Sequence, residues 1–177
     1  SNFGADAFGV TPDIMTIAKG MTSGTVPMGG VLVKEEIYET FMTGPEDAIE
    51  FFHGYTYSGH PLAAAAGLAT LNVYEEEGLF EKAKELIPVL EEEVHKIKGT
   101  RYVIDIRNFG LLGAIELEPI EGKPTARALS VFRECYDRGV LIRTTGDTVA
   151  ICPPFIASAD DVRTIVATIK ESLEAID

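Results

Sequence analysis

The sequence predicts an α/β fold in two parts, and three observations carry that expectation. Two short apolar runs, residues 14–18 and 29–33, have the length and composition of buried strands. A helix-prone stretch fills residues 61–98. From residue 100 onward the hydrophobic period switches between that of strand and that of helix, in the order β-β-α-β-β-α. A length of 177 residues accommodates one ordinary domain, or one small domain and part of another.

The elements follow in order. The turn signal Thr11-Pro12-Asp13 introduces "IMTIA", an apolar run expected to be a buried strand of a parallel sheet. "GGVLV" is the second such run and ends at Lys34. "KEEIYETF" reads as one or two helical turns with Ile37 and Phe41 on one face. Residues 44–60 are irregular and rich in Gly, Pro, His and Tyr. Pro61 suits a first helical position and opens "LAAAAGLATLNVYEEEG", whose alanines favour helix and leave a slim surface. Gly78 ends it.

The next helix spans "LFEKAKELIPVLEEEVHKIKG". Phe80, Ala83, Leu86 or Ile87, Leu90, Val94 and Ile97 form its apolar face, and Pro88 is expected to kink or divide it. "YVIDIRNFGLLGAIELEPI" gives two strands around Asn108 to Gly110. Residues 124–138 return to helix and stop at Gly139. "VLIRTTGDTVAICPPF" places two short strands about the turn Thr145-Gly146-Asp147. Ser158 and Asp161 have the spacing of a capping box before a last helix bearing Val162, Ile165, Val166, Ile169, Leu173 and Ile176. The domains expected are thus residues 1–60, linking helices 61–99, and a small α/β domain 100–177.

Composition removes several function classes. Hydrophobic residues make up 46%, enough for a core. With 15 basic against 28 acidic residues the net charge is −13, the wrong sign for a nucleic-acid backbone binder. No run of residues has the length of a membrane span. Cys135 and Cys152 have neither metal-ligand spacing nor the makings of a disulfide framework, and suit a reducing cytoplasm. The chain opens on "SNFGADAFGVTPDI" without an initiator Met, and Ser1-Asn2 has the look of a tag scar. It is therefore expected to be a fragment.

Lys19 draws attention because it ends an apolar run and precedes Gly20. A lysine held by an apolar scaffold is available uncharged, as a nucleophile toward carbonyls; a solvated surface lysine is the ordinary alternative. The loop "AKGMTSG" is not a P-loop, since its lysine precedes the glycines. His53 and His60 lack a third ligand for zinc, so no metal site is expected. Thr56, Tyr57 and Ser58 offer hydroxyls and backbone N–H groups ahead of a helix N-terminus, a place to receive an anion or simply a capped turn. Arg143, at a strand end, is either a surface arginine or a carboxylate clamp.

Together these stretches resemble the class III (ω-type) aminotransferases, which use pyridoxal 5'-phosphate. The closest pattern is that of ω-amino acid:pyruvate (β-alanine:pyruvate) transaminases. "FGVTPDIMTIAKGMTSGTVPMGGVLV" is similar to the segment with the Schiff-base lysine, which lands on Lys19. "HGYTYSGHPLAAAAGLATL" looks like the phosphate-binding segment, which lands on Thr56 with Tyr57 beside it. "GVLIRTTGDTVAICPPFIASADDV" looks like the region with a mobile substrate-binding arginine, which lands on Arg143.

The resemblance implies the end of a fold type I large domain joined to a small α/β domain. It also implies an amino donor and a keto-acid acceptor as partners, and a homodimer or homotetramer in which Thr56 reaches the phosphate across the interface. Family members are longer. Their second phosphate loop, ring-stacking aromatic and pyridine-pairing aspartate have no counterpart here, so the 177 residues alone are expected to be inactive. A decarboxylase, aminomutase or epimerase of the same family, or a non-catalytic dimerising piece, is the alternative.

Overall fold

The computed structural model describes residues 3–48 and 51–176, and the chain divides into two compact units, residues 1–78 and 79–177. That boundary falls inside the stretch 61–99, so its two long helices belong to different units. Ser1 and Asn2 lie outside the described residues.

The first unit holds α1 (Gly4–Ala7), β1 (Ile14–Ala18), a 3₁₀ turn (Gly20–Thr22), β2 (Gly29–Val33), α2 (Glu35–Phe41) and α3 (Pro61–Glu76). Both strands form where the apolar runs predict them, but not as buried parallel strands. β1 pairs antiparallel with β2, from Ile14 opposite Val33 to Ala18 opposite Gly29. A two-stranded ribbon has no third strand to bury its faces. Ile14, Val31, Leu32 and Val33 are accordingly exposed. Lys34 closes the open end of the ribbon, donating its N–H to the Asp13 carbonyl at 3.0 Å and pairing with the Asp13 carboxylate at 2.5 Å.

Helix α3 starts as expected, with Pro61 at its first position and the His60 ring accepting the Leu62 N–H. It ends where Gly78 takes φ +59°, a conformation that a residue with a Cβ rarely adopts. Its buried residues are Ala63 and Gly67. A Cβ on Gly67 would sit 3.4 Å from Met28 Sδ and 3.6 Å from the Met21 carbonyl, so the small residue is what lets the loop lie against the helix.

The second unit is a four-stranded antiparallel sheet in the order β3-β4-β6-β5 with three helices. Its elements are α4 (Leu79–His95), β3 (Val103–Phe109), β4 (Leu112–Leu117), α5 (Ala126–Asp137), β5 (Arg143–Thr145), β6 (Thr148–Ile151) and α6 (Ala159–Ala175). This is the β-β-α-β-β-α order read from the sequence. The alternation in β4 and β6 buries Ile115, Leu117, Val149 and Ile151 against Leu90, Val94 and Ile97 from the α4 segment and Val162, Ile169 and Leu173 of α6. Each such side chain contributes roughly 1.5–3 kcal/mol as an upper bound. The opposite face is mixed: Arg107 pairs with Asp105 and Glu116 at 2.5 Å each, while Phe109 and Leu112 beside them are exposed.

Pro88 does not divide α4, which runs unbroken from Leu79 to His95. Pro88 is exposed, while Leu86 and Leu90 on either side are buried. The carbonyl it leaves without an N–H is that of Lys84, an exposed residue open to solvent. Burial of the opposite face then outweighs the lost hydrogen bond.

The capping box is present at α6. Asp161 N–H donates to Ser158 Oγ at 3.1 Å, and Asp161 Oδ2 accepts from Ser158 N–H at 2.8 Å. The Ser158 N–H and, after it, the Ser158 hydroxyl hold the Asp161 carboxyl below the usual carboxylate range. Ser158→Ala is expected to lower stability by about 1 kcal/mol in urea unfolding. The Asp161 contribution has a defined pH sign. Its folded pKa lies below the unfolded value, so the contribution is present above about pH 3.9 and is lost as pH falls through the folded value. The stability gap between wild type and Asp161→Ala should therefore be constant near neutrality and close in acid.

Candidate functional site

Residues 19–28 form a loop closed at its base by the Ala18–Gly29 pair. Its first residue, Lys19, has φ +56° and ψ −73°. That is the region of a γ-turn's central residue, strained by about 1–3 kcal/mol for a residue with a Cβ. The strain is held by a dense set of bonds. The Lys19 carbonyl accepts the Thr22 and Gly24 N–H groups at 3.2 and 3.0 Å. Thr22, only 1% exposed, donates its hydroxyl to the Val26 carbonyl at 2.7 Å, and Thr25 donates its own to the Thr22 carbonyl at 2.7 Å. From α3, the Tyr74 hydroxyl donates to the Gly20 carbonyl at 2.8 Å.

The Lys19 side chain is exposed and makes no hydrogen bond or ion pair among the described residues. The apolar enclosure expected around its amine is absent, because the strand it follows is itself half of an uncovered ribbon.

Thr56 and Tyr57 lie on the wall of a cleft of about 640 Å³. The loop 54–60, the segment 26–29 and the first turn of α3 line it. Among the described residues no Asp or Glu lines it, although the chain carries 28 acidic residues. The Thr56 and Ser58 hydroxyls have no partner among the described residues, and the cleft sits at the N-terminal end of a 16-residue helix. Uncommitted hydroxyls, absent carboxylates and a helix N-terminus together suit a phosphate group. Residues on this wall therefore fit the phosphate of a pyridoxal cofactor. Lys19 is not among the lining residues, though the loop it begins reaches the cleft at Val26 to Met28.

Arg143 opens β5, opposite Ala150 on β6. It is exposed, and its guanidinium has no ion pair among the described residues. The hairpin turn after it is Gly146-Asp147, with Gly146 at φ +60°. Asp147 anchors that turn by accepting the Leu117 N–H at its carbonyl, 2.8 Å away, and the Thr125 N–H at Oδ2, 3.2 Å away.

Sequence reasoning missed Thr22 and Tyr74. Thr22 stands in a run of small residues that reads as an ordinary loop, and Tyr74 is separated from Gly20 by 54 residues. No helix among the described residues is long and apolar enough to cross a membrane.

The fold is that of transaminases. An aminotransferase from Bacillus anthracis superposes with a TM-score of 0.86 at 34% identity, over 98% of this chain and 41% of its own. The family model described as aminotransferase class-III matches residues 1–173, and the chain belongs to that family. An omega-aminotransferase of Caulobacter vibrioides is 49% identical over 175 residues, covering 99% of this chain and 40% of the relative. A beta-alanine–pyruvate aminotransferase of Pseudomonas aeruginosa is 45% identical, covering 98% and 39%. The chain thus spans about 40% of the length of these curated relatives. Enzymes of this family depend on pyridoxal phosphate.

The loop geometry yields one expectation independent of chemistry. Thr22→Val keeps the shape of the side chain but leaves the Val26 carbonyl without its donor, at a cost of about 1–3 kcal/mol. Amide exchange across residues 20–28 should accelerate accordingly, while exchange in the second unit stays unchanged.

Proposed function

We propose that this chain supplies the reactive lysine, part of the phosphate cradle and the carboxylate-gripping arginine of a pyridoxal-phosphate-dependent ω-amino acid:pyruvate transaminase. The observation that carries the reading is the cleft beside α3, where the matched Thr56 and its neighbours form an acid-free wall of free hydroxyls. The relatives named omega-aminotransferase and beta-alanine–pyruvate aminotransferase favour this over a decarboxylase, aminomutase or epimerase.

Thr56 would hold the phosphate through its hydroxyl, with Tyr57 and the α3 N-terminus beside it. Lys19 would be the attachment point and afterwards the base, its Nζ taking a proton from one substrate carbon and returning it elsewhere. The cofactor, when bound, supplies an aldehyde carbon for amines and a ring that withdraws electrons. Arg143 would grip the acceptor's carboxylate through paired N–H donors and release it for donors that lack one.

The assembly proposed is a homodimer or homotetramer in the cytoplasm. Leu62, Leu68 and Leu71 on α3 are each more than half exposed, and an interface with a second copy would cover them. In a longer protein the bare faces of β1 and β2 would be covered in the same way, enclosing Lys19.

Two experiments test the reading. Incubation of the chain with pyridoxal phosphate, borohydride reduction and peptide mass spectrometry should place the label on Lys19 in preference to the other seven lysines. Uniform labelling would defeat the assignment. In the active protein that carries this chain, Arg143→Ala should raise KM for pyruvate about 10–100-fold, the worth of a charge-assisted pair, and leave KM for an acceptor without a carboxylate unchanged.

A further inference from the structure

The residue in the least comfortable backbone conformation of the lysine loop is Lys19 itself. Left-handed φ in a lysine persists only where its surroundings over-determine it. Most of the bonds that do so here are local. The Thr22 and Gly24 N–H groups on the Lys19 carbonyl, the Ser23 N–H on the Gly20 carbonyl and the threonine hydroxyls all lie within residues 19–26. Local bonds move with the loop and cannot fix its attitude to the rest of the unit.

Two features reach the loop from α3. Gly67 admits the Met21 carbonyl and Met28 to the helix surface, which sets how near the loop lies. Tyr74, two turns further along, donates its hydroxyl to the Gly20 carbonyl at 2.8 Å. The peptide carrying that carbonyl follows directly on the Lys19–Gly20 peptide, so holding it limits rotation about the Gly20 φ and ψ bonds that join the two and fixes the exit from Lys19. This side-chain hydrogen bond ties the lysine loop to the helix.

We infer that Tyr74 is a positioning residue: its hydroxyl, by holding the Gly20 carbonyl, keeps Lys19 in its left-handed conformation and aims the Lys19 amine. The inference has two links. The first, hydroxyl to backbone, is independent of function. The second, backbone to amine, rests on the reading of Lys19 as the residue that receives the cofactor.

Tyr74→Phe removes the hydroxyl and keeps the ring, and two readouts on the 177-residue chain separate the links. The first is the intraresidue amide-to-Hα nuclear Overhauser effect of Lys19, which is strong when φ is left-handed. It should be strong in wild type and weak in Tyr74→Phe. The second is borohydride-fixed labelling by pyridoxal phosphate, scored as Lys19 relative to Lys170, with formaldehyde labelling as a control for plain exposure. Tyr74→Phe should lower the pyridoxal ratio about fivefold, the equivalent of one hydrogen bond of ~1 kcal/mol, and leave the formaldehyde ratio unchanged.

A persistent Overhauser effect in Tyr74→Phe overturns the inference whatever the labelling does. A lost effect with an unchanged pyridoxal ratio overturns the aiming of the amine. A lost effect in a chain whose wild type shows no preference for Lys19 upholds the tether and defeats the functional assignment of Lys19 instead.

Discussion

The pairing of Ala18 with Gly29 is the constraint on which the candidate site depends. It closes residues 19–28 into a loop whose first member must turn the chain sharply out of a strand. With the base of the loop fixed, Thr22 turns inward to 1% exposure, and Val26 to Met28 are delivered to the cleft that Thr56 also lines. The loop that Lys19 begins and the segment that carries Thr56 thereby meet at one cleft, although 37 positions separate Lys19 from Thr56.

The two units obey different rules. In the second, strands alternate cleanly and helices α4 and α6 bury one face each, so Leu90, Val94, Ile97, Ile169 and Leu173 reach zero exposure. In the first, apolar side chains on β1, β2 and α3 remain at the surface. A ribbon of two strands can satisfy its backbone hydrogen bonds without burying its side chains. Hydrogen bonding therefore carries the first unit and packing carries the second.

That difference explains what was legible in the sequence. The alternation in 103–117, the Ser158–Asp161 spacing and the glycines at 78, 99 and 139 are local signals, and each element they predict is present. The apolar runs at 14–18 and 29–33 correctly announce strands, but hydrophobicity cannot say whether a covering layer exists, so both burial and parallel pairing were misjudged. Pro88 shows the converse: a local breaker yields when the opposite helix face is fully buried. Resemblance singled out Lys19, Thr56 and Arg143 where residue chemistry alone left a surface reading open for each. Neither route could find Tyr74, because a hydroxyl that meets a carbonyl 54 residues away leaves no pattern in the chain.

Arg143 sits on a strand of three residues at the edge of the sheet, with β6 as its neighbour. Strand β6 keeps Val149 and Ile151 in the core and its own pairing with β4, and the turn beyond β5 is pinned through Asp147. Ile142, just before β5, is buried in the core, so the strand is held at both ends while the Arg143 side chain stays exposed. The guanidinium at the start of β5 therefore combines a fixed base with a free head. It can turn about its own side-chain bonds without disturbing the sheet that bears it.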